Sequence, residues 1–134
     1  MALTFDGAYR GRGRNCLRSS VMGCLFCKIV SREIPSEIVF ENEHVLAFKD
    51  LHPAAPSHAL VIPKRHIVGM RDAKPEDAAL LGEMMLAARE VGELLGVGES
   101  GYRLVANQGA NAGQSVHHLH VHVLGGRGLA WPPG

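Results

Sequence analysis

Residues 118–123 read His118-Leu119-His120-Val121-His122-Val123, three imidazoles alternating with three aliphatic side chains. A β-strand sends successive side chains to opposite faces. The alternation therefore predicts one extended strand, with His118, His120 and His122 on one face and Leu119, Val121 and Val123 on the other. The aliphatic face suits a core. The imidazole face needs another explanation, because buried ring nitrogens require partners. Metal binding and catalysis are the two chemistries such a row serves.

The rest of the chain supplies elements that can pack around this strand. Glu37-Ile38-Val39-Phe40 and His44-Val45-Leu46-Ala47-Phe48 read as a hairpin turning at Glu41-Asn42-Glu43. Pro53-Ala54-Ala55-Pro56 is a loop, and His58 to Ile62 is a buried strand ended by Pro63. Tyr102 to Ala106 forms a further strand, and Cys24 to Val30 a short helix or turn. The clearest helix spans residues 75–95. Pro75 suits its first position, and Gly96 its stop. Leu81, Met84, Met85, Ala88, Val91 and Leu95 make its buried stripe. Strands, one long helix and more strands joined by short loops indicate an α+β domain on an antiparallel sheet.

A length of 134 residues suits a single domain over residues 22–134, preceded by a disordered tail at residues 1–21. That tail holds the Gly/Arg-rich run Tyr9 to Arg14, and Asp6 argues against a transit peptide. Met22 directly precedes the organised sequence and offers another start. A net charge of +1 gives no general case for nucleic acid or membrane as partner, and no apolar run is long enough to span a bilayer. Three cysteines leave one over in any fully paired disulfide scheme, so reduced thiols in the cytoplasm are expected. Cys16, in the tail, is read as incidental.

A row of imidazoles can bind a metal with ligands from other strands. Alternatively, one neutral imidazole attacks while its neighbours bind an anion. The preceding loop, Asn107-Gln108-Gly109-Ala110-Asn111-Ala112-Gly113-Gln114-Ser115, favours the second use. Its glycines and donors permit close approach to a phosphate. Cys24-Leu25-Phe26-Cys27 is open to three readings: a zinc half-site, a redox pair or two buried thiols. A redox motif would be expected near a βαβ pattern, which the chain lacks.

Gly113-Gln114-Ser115-Val116-His117-His118-Leu119-His120-Val121-His122-Val123-Leu124 resembles the signature of the histidine triad (HIT) family. Gly125-Gly126-Arg127 and Trp131-Pro132-Pro133-Gly134 resemble its Hint branch, the nucleoside phosphoramidases. Arg32-Glu33-Ile34-Pro35, Leu46 to Asp50 and Ala55 to His66 also match, so the resemblance covers residues 23–134. It implies a HIT-like fold, with a five-stranded antiparallel sheet, one long helix and a short N-terminal helix. It also implies a homodimer paired through the long helix and a central strand, with Trp131 near the partner's site.

The resemblance further implies an enzyme that hydrolyses purine nucleoside 5′-phosphoramidates, such as AMP–amine or AMP–lysine. His120 would attack the α-phosphate to form a nucleotidyl-histidine, with His122 on the phosphate and His58 orienting the network. Ser115 would sit near the leaving group, while Asn107 and the Gly113 backbone would hold phosphate oxygens, with Gln114 also among the nucleotide-binding residues. Asp50 would bind the ribose, and Phe26, Ile29, Phe48 and Leu51 would enclose the base; ordinary core is the rival reading of these four. Gln in place of His122 marks transferases, so His122 argues for hydrolysis. Many bacterial members complete a structural zinc site with residues matching His66 and His118 beside Cys24 and Cys27. No organic cofactor is implied. His44, His52 and His117 are expected at or near the surface. Three alternatives remain: a dinucleoside polyphosphate hydrolase, a nucleotide-binding regulatory protein with vestigial catalysis, or a metallohydrolase ligated by His118, His120 and His122.

Overall fold

The computed structural model describes residues 23–134, so the expected tail, Cys16 and Met22 lie outside the described residues. The chain begins with a short helix, α1 (Leu25–Val30), capped by Cys24, whose Sγ accepts the Cys27 N–H. Six residues are too few for a helix to persist alone. Burial of Phe26 and Ile29 holds it in place. Strands β1 (Ile38–Glu41) and β2 (Val45–Lys49) form the expected hairpin. Asn42 Oδ1 accepts the N–H groups of His44 and Val45, which draws His44 into the turn and starts β2 one residue late. Strands β3 (Ser57–Pro63), β4 (Tyr102–Val105) and β5 (Val121–Gly125) complete an antiparallel sheet in the order β1-β2-β3-β5-β4.

Each face of the sheet has its own cover. Val45, Ala47, Ala59, Val61, Val121 and Val123 pack against the long helix α2 (Ala78–Leu94). Leu46, Phe48, Leu60 and Ile62 pack on the opposite face with Phe26 and Ile29 of α1. Consecutive residues of β2 alternate between the two cores, as the period of two requires. In β3 every residue after Ser57 is buried.

Two expectations are corrected. Pro75–Asp77 forms a 3-10 turn before α2, and the buried stripe is rotated from the expected one. Leu80, Met84, Ala87, Ala88, Val91 and Gly92 face inward, Leu81 and Leu95 are half-buried, and Met85 is 52% exposed. Small residues face the sheet because α2 lies close to it. A Cβ on Gly92 would fall 2.6 Å from the Tyr102 ring. Gly96 does end the helical segment, at φ +75°.

The histidine segment is the second correction. Only residues 121–125 are strand. The Leu119 N–H instead bonds to the Ile67 carbonyl, and β3 stops at Pro63. The aliphatic half of the expectation holds, since Leu119, Val121 and Val123 are all buried in the α2 core.

Candidate functional site

The site lies on the α1 face of the sheet. His122 is paired with Leu60 across β3 and β5, which places it on that face, and His58 precedes Leu60 by two residues. The rings of His120 and His122 lie 5.0 Å apart, and those of His58 and His122 5.1 Å apart. Phe26 meets His120 edge-on at 5.3 Å, His118 at 5.9 Å and Phe48 at 5.4 Å.

Backbone groups set the proton on each ring. A carbonyl can only accept, so His120 Nδ1, at 2.7 Å from the His118 carbonyl, carries its proton there. Its Nε2 therefore bears the lone pair. His118 Nε2 donates to the Pro63 carbonyl at 2.8 Å, leaving Nδ1 with the lone pair. His58 is the reverse case. Its Nδ1 accepts the Ala54 N–H at 2.9 Å, so neutral His58 is protonated at Nε2. That Nε2 lies 2.8 Å from His122 Nδ1 and 3.4 Å from Asp50 Oδ2. Neutral His122 thus accepts at Nδ1 and keeps its own proton on Nε2.

Burial favours the neutral forms of His58, His118 and His122. It pushes His122 down to about 4, with help from His120 and His58 and against the opposing pull of Asp50. Burial also lowers His58, again opposed by Asp50. His118 is pushed down to about 4 by burial, against its bond to Pro63, with smaller contributions from His66 and His120.

A second cluster adjoins the first. Cys24 Sγ lies 3.3 Å from His118 Nδ1, and Cys27 Sγ lies 3.4 Å from His66 Nδ1 and 3.6 Å from His118 Nδ1. The two Nδ1 atoms are 3.2 Å apart. Tetrahedral zinc, with bonds of about 2.0–2.3 Å, separates nitrogens by roughly 3.3 Å and sulfur from nitrogen by roughly 3.6 Å. The four donors match those separations, and His118 sends its other ring proton to a backbone carbonyl, as metal-bound histidines do.

Asp50, His58 and His122 also bring three donor atoms within 4.8 Å of one another. They suit a metal poorly, because the Ala54 N–H occupies the His58 nitrogen that would have to carry the proton. The metallohydrolase expectation fails similarly. His118 Nδ1 turns to the cysteines, His120 Nδ1 to a carbonyl and His122 Nδ1 to His58, so the three rings do not converge on one ion.

A cavity of about 360 Å³ opens beside His120 and His122. Phe26, Ile29, Phe48 and Leu51 line it, as do Asp50 and Ser115. The rival readings of the apolar four merge, since Phe26, Ile29 and Phe48 are core and wall at once, whereas Leu51 is 80% exposed. Asp50 Oδ1 accepts the His52 N–H, and His52 reaches the cavity rim. Asn107, Gly113 and Gln114 are not in the cavity lining. Gln114 secures the loop instead, donating to the Val68 and Val116 carbonyls and accepting the Gly109 N–H. His44 is half-buried against Glu43, and His117 is exposed beside Cys24 and His66. Sequence reasoning missed Ala54 and Pro63, which act through backbone atoms that no side-chain pattern reveals.

The HIT domain family matches residues 31–129. An uncharacterized HIT-like protein of Synechocystis is 54% identical over 110 residues, spanning 82% of this chain and 96% of that protein. The fold matches a HIT family hydrolase from Legionella pneumophila with a TM-score of 0.81 and 47% identity, covering 84% of this chain and all of that one. A histidine triad nucleotide-binding protein from Candida albicans aligns with a TM-score of 0.71 and 30% identity, over 82% of this chain and 83% of its own. With the histidine segment, the five-stranded sheet and these likenesses together, the chain belongs to the HIT family.

Proposed function

We propose that this protein is a nucleotide-binding hydrolase that cleaves purine nucleoside 5′-phosphoramidates to the nucleoside monophosphate and an amine. The observation that carries this reading is the His120 tautomer. Its Nδ1 proton is committed to a carbonyl, and its Nε2 lone pair belongs to a ring on the wall of a mostly apolar cavity. That is the arrangement a neutral imidazole nucleophile needs. The HIT family hydrolase of Legionella and the nucleotide-binding protein of Candida support the class of reaction and ligand.

In this reading the base enters between Phe26, Ile29 and Phe48, and Asp50 accepts from the ribose hydroxyls. His120 Nε2 attacks the α-phosphorus while His122 Nε2–H stabilises the phosphate oxygens. The amide nitrogen takes a proton from solvent, the P–N bond breaks with its electron pair going to nitrogen, and the neutral amine leaves near Ser115. Water then attacks the same phosphorus, releases the monophosphate and restores the His120 lone pair.

Cys24, Cys27, His66 and His118 would hold a structural zinc, tethering α1 to the histidine segment outside the chemistry. A homodimer is part of this reading. Its support is the position of β4 at the edge of the sheet among the described residues and the exposure of Met85, Leu86 and Leu94 on α2. Among the described residues no helix is long and apolar enough to cross a membrane. A cytoplasmic setting is part of this reading, since a zinc site at Cys24 and Cys27 needs both sulfurs reduced.

The test is to mix the enzyme with adenosine 5′-phosphoramidate, quench in alkali and map the adduct by mass spectrometry. An adenylyl group on His120 is expected, with neither adduct nor AMP from His120→Ala. Normal AMP release by that variant would overturn the reading.

A further inference from the structure

Gly125-Gly126-Arg127 closes β5, and the chemistry above leaves it without a task. Its neighbours are informative. Arg127 Nη2 donates to the Ala54 carbonyl at 3.1 Å. The N–H of the same residue, Ala54, donates to His58 Nδ1 at 2.9 Å. Gly126 has φ +89°, and a Cβ there would lie 2.9 Å from Pro56 Cβ. A Cβ on Gly125 would lie 3.0 Å from Val97 Cβ. Gly125 is also paired with Ser57, the first residue of β3. The segment therefore grips the 53–56 loop at two points, backbone packing at Pro56 and a charged donor at Ala54, and holds its end through strand pairing at Ser57.

We propose that Gly125-Gly126-Arg127 is the positioning device of the histidine relay: it clamps the 53–56 loop so that the Ala54 N–H holds His58 in its Nε2–H tautomer. Arg127 touches neither His58 nor His122 in the contacts described, so it acts through Ala54 as a positioning residue. The reason lies in the two tautomers of a neutral imidazole, which a single external donor or acceptor is enough to sort. With the Ala54 amide withdrawn, His58 Nδ1 can carry the proton, and only Asp50 Oδ2, 3.4 Å from Nε2, still favours the Nε2–H form, so both tautomers become populated. In the Nδ1–H form His58 Nε2 accepts, so the contact with His122 survives only if His122 donates from Nδ1. The His122 lone pair would then lie on Nε2, where a phosphate oxygen should find a proton. One loop hydrogen bond thus sets the polarity at the far end of the relay.

The kinetic consequence rests on the hydrolase reading, but the ring protons do not. The experiment is therefore long-range ¹⁵N NMR of the imidazoles, run beside steady-state kinetics on adenosine 5′-phosphoramidate. The wild type should show Nε2–H for both His58 and His122. Arg127→Ala should show mixed tautomers in both rings, with kcat lower by about tenfold and KM changed less than about twofold, the size expected for one charge-assisted hydrogen bond. Arg127→Lys retains a donor and should restore most of both signals. Gly126→Ala, which displaces Pro56 from the other side, should reproduce the mixed pattern. Unchanged tautomers in Arg127→Ala would overturn the proposal, as would Arg127→Lys behaving no better than alanine. Absence of turnover by the wild type, with the tautomer shifts still present, would count against the hydrolase reading alone.

Discussion

Two clusters, Cys24–Cys27–His66–His118 and Asp50–His58–His122, each gather metal-binding side chains within 4.8 Å, yet their protons are arranged oppositely. In the first, His118 exports its ring proton to Pro63 and turns a lone pair inward. In the second, the Ala54 amide fills the outward nitrogen of His58, so the proton lies inside the cluster. Residue type and spacing do not separate a metal centre from a proton relay. The outward hydrogen bond of one histidine does.

The comparison is most strongly tested at His120, which adjoins both clusters. His120→Ala should lower turnover by about 10⁴-fold or more while metal content and melting temperature stay near wild type, as measured by steady-state assay, metal analysis and calorimetry. Loss of the metal together with the activity would mean that the clusters are not separate. Next in size is His58→Ala, which removes a relay member and should lower kcat by about 10²-fold at unchanged zinc stoichiometry.

The other cluster is probed through the zinc proposed for it. A strong chelator should lower the melting temperature by about 10 °C, since a ligand present at 1,000 times its Kd adds about 4 kcal/mol. Cys27→Ser should lower it similarly and gain nothing from added zinc. Chelation that abolishes activity without moving the melting temperature would reverse the assignment of the two clusters.

The smallest effect is in pH. His122 is held down to about 4 in the fold, chiefly by burial, against an ordinary value of 6.5. Between those values the unfolded chain binds more protons, so stability should be flat above pH 6.5 and fall as pH drops toward 4. Melting curves of wild type and His122→Gln should show this loss reduced in the variant. An identical slope would remove His122 from the account.

Much of this was legible in the sequence, for identifiable reasons. The strand expected at His44–Phe48 lies one residue from the observed Val45–Lys49, and alternation located the aliphatic side of the histidine segment, because period two is a property of side chains. The half-site at Cys24 and Cys27 was readable from its spacing, His66 and His118 came from resemblance, and the four donors do converge in the structure. The rotation of α2 was not legible, since a 3.6-residue period does not say whether Met85 or Ala87 faces a sheet that lies close by. The end of strand character before Val121 was hidden as well. It depends on Leu119 pairing with Ile67, a contact 52 residues distant along the chain. Ala54 and Pro63 were invisible because every residue brings the same backbone groups.

Phe26 has a consequence of another kind. Its ring touches His118, His120 and Phe48, and its backbone lies between Cys24 and Cys27. A wall of the cavity is thus carried on the spacer between two thiols. Any reagent or oxidant that rearranges those sulfurs would reshape the cavity without reaching His120 itself. Sensitivity to thiol chemistry would then appear as a change in which ligands fit, ahead of any change in how fast they react.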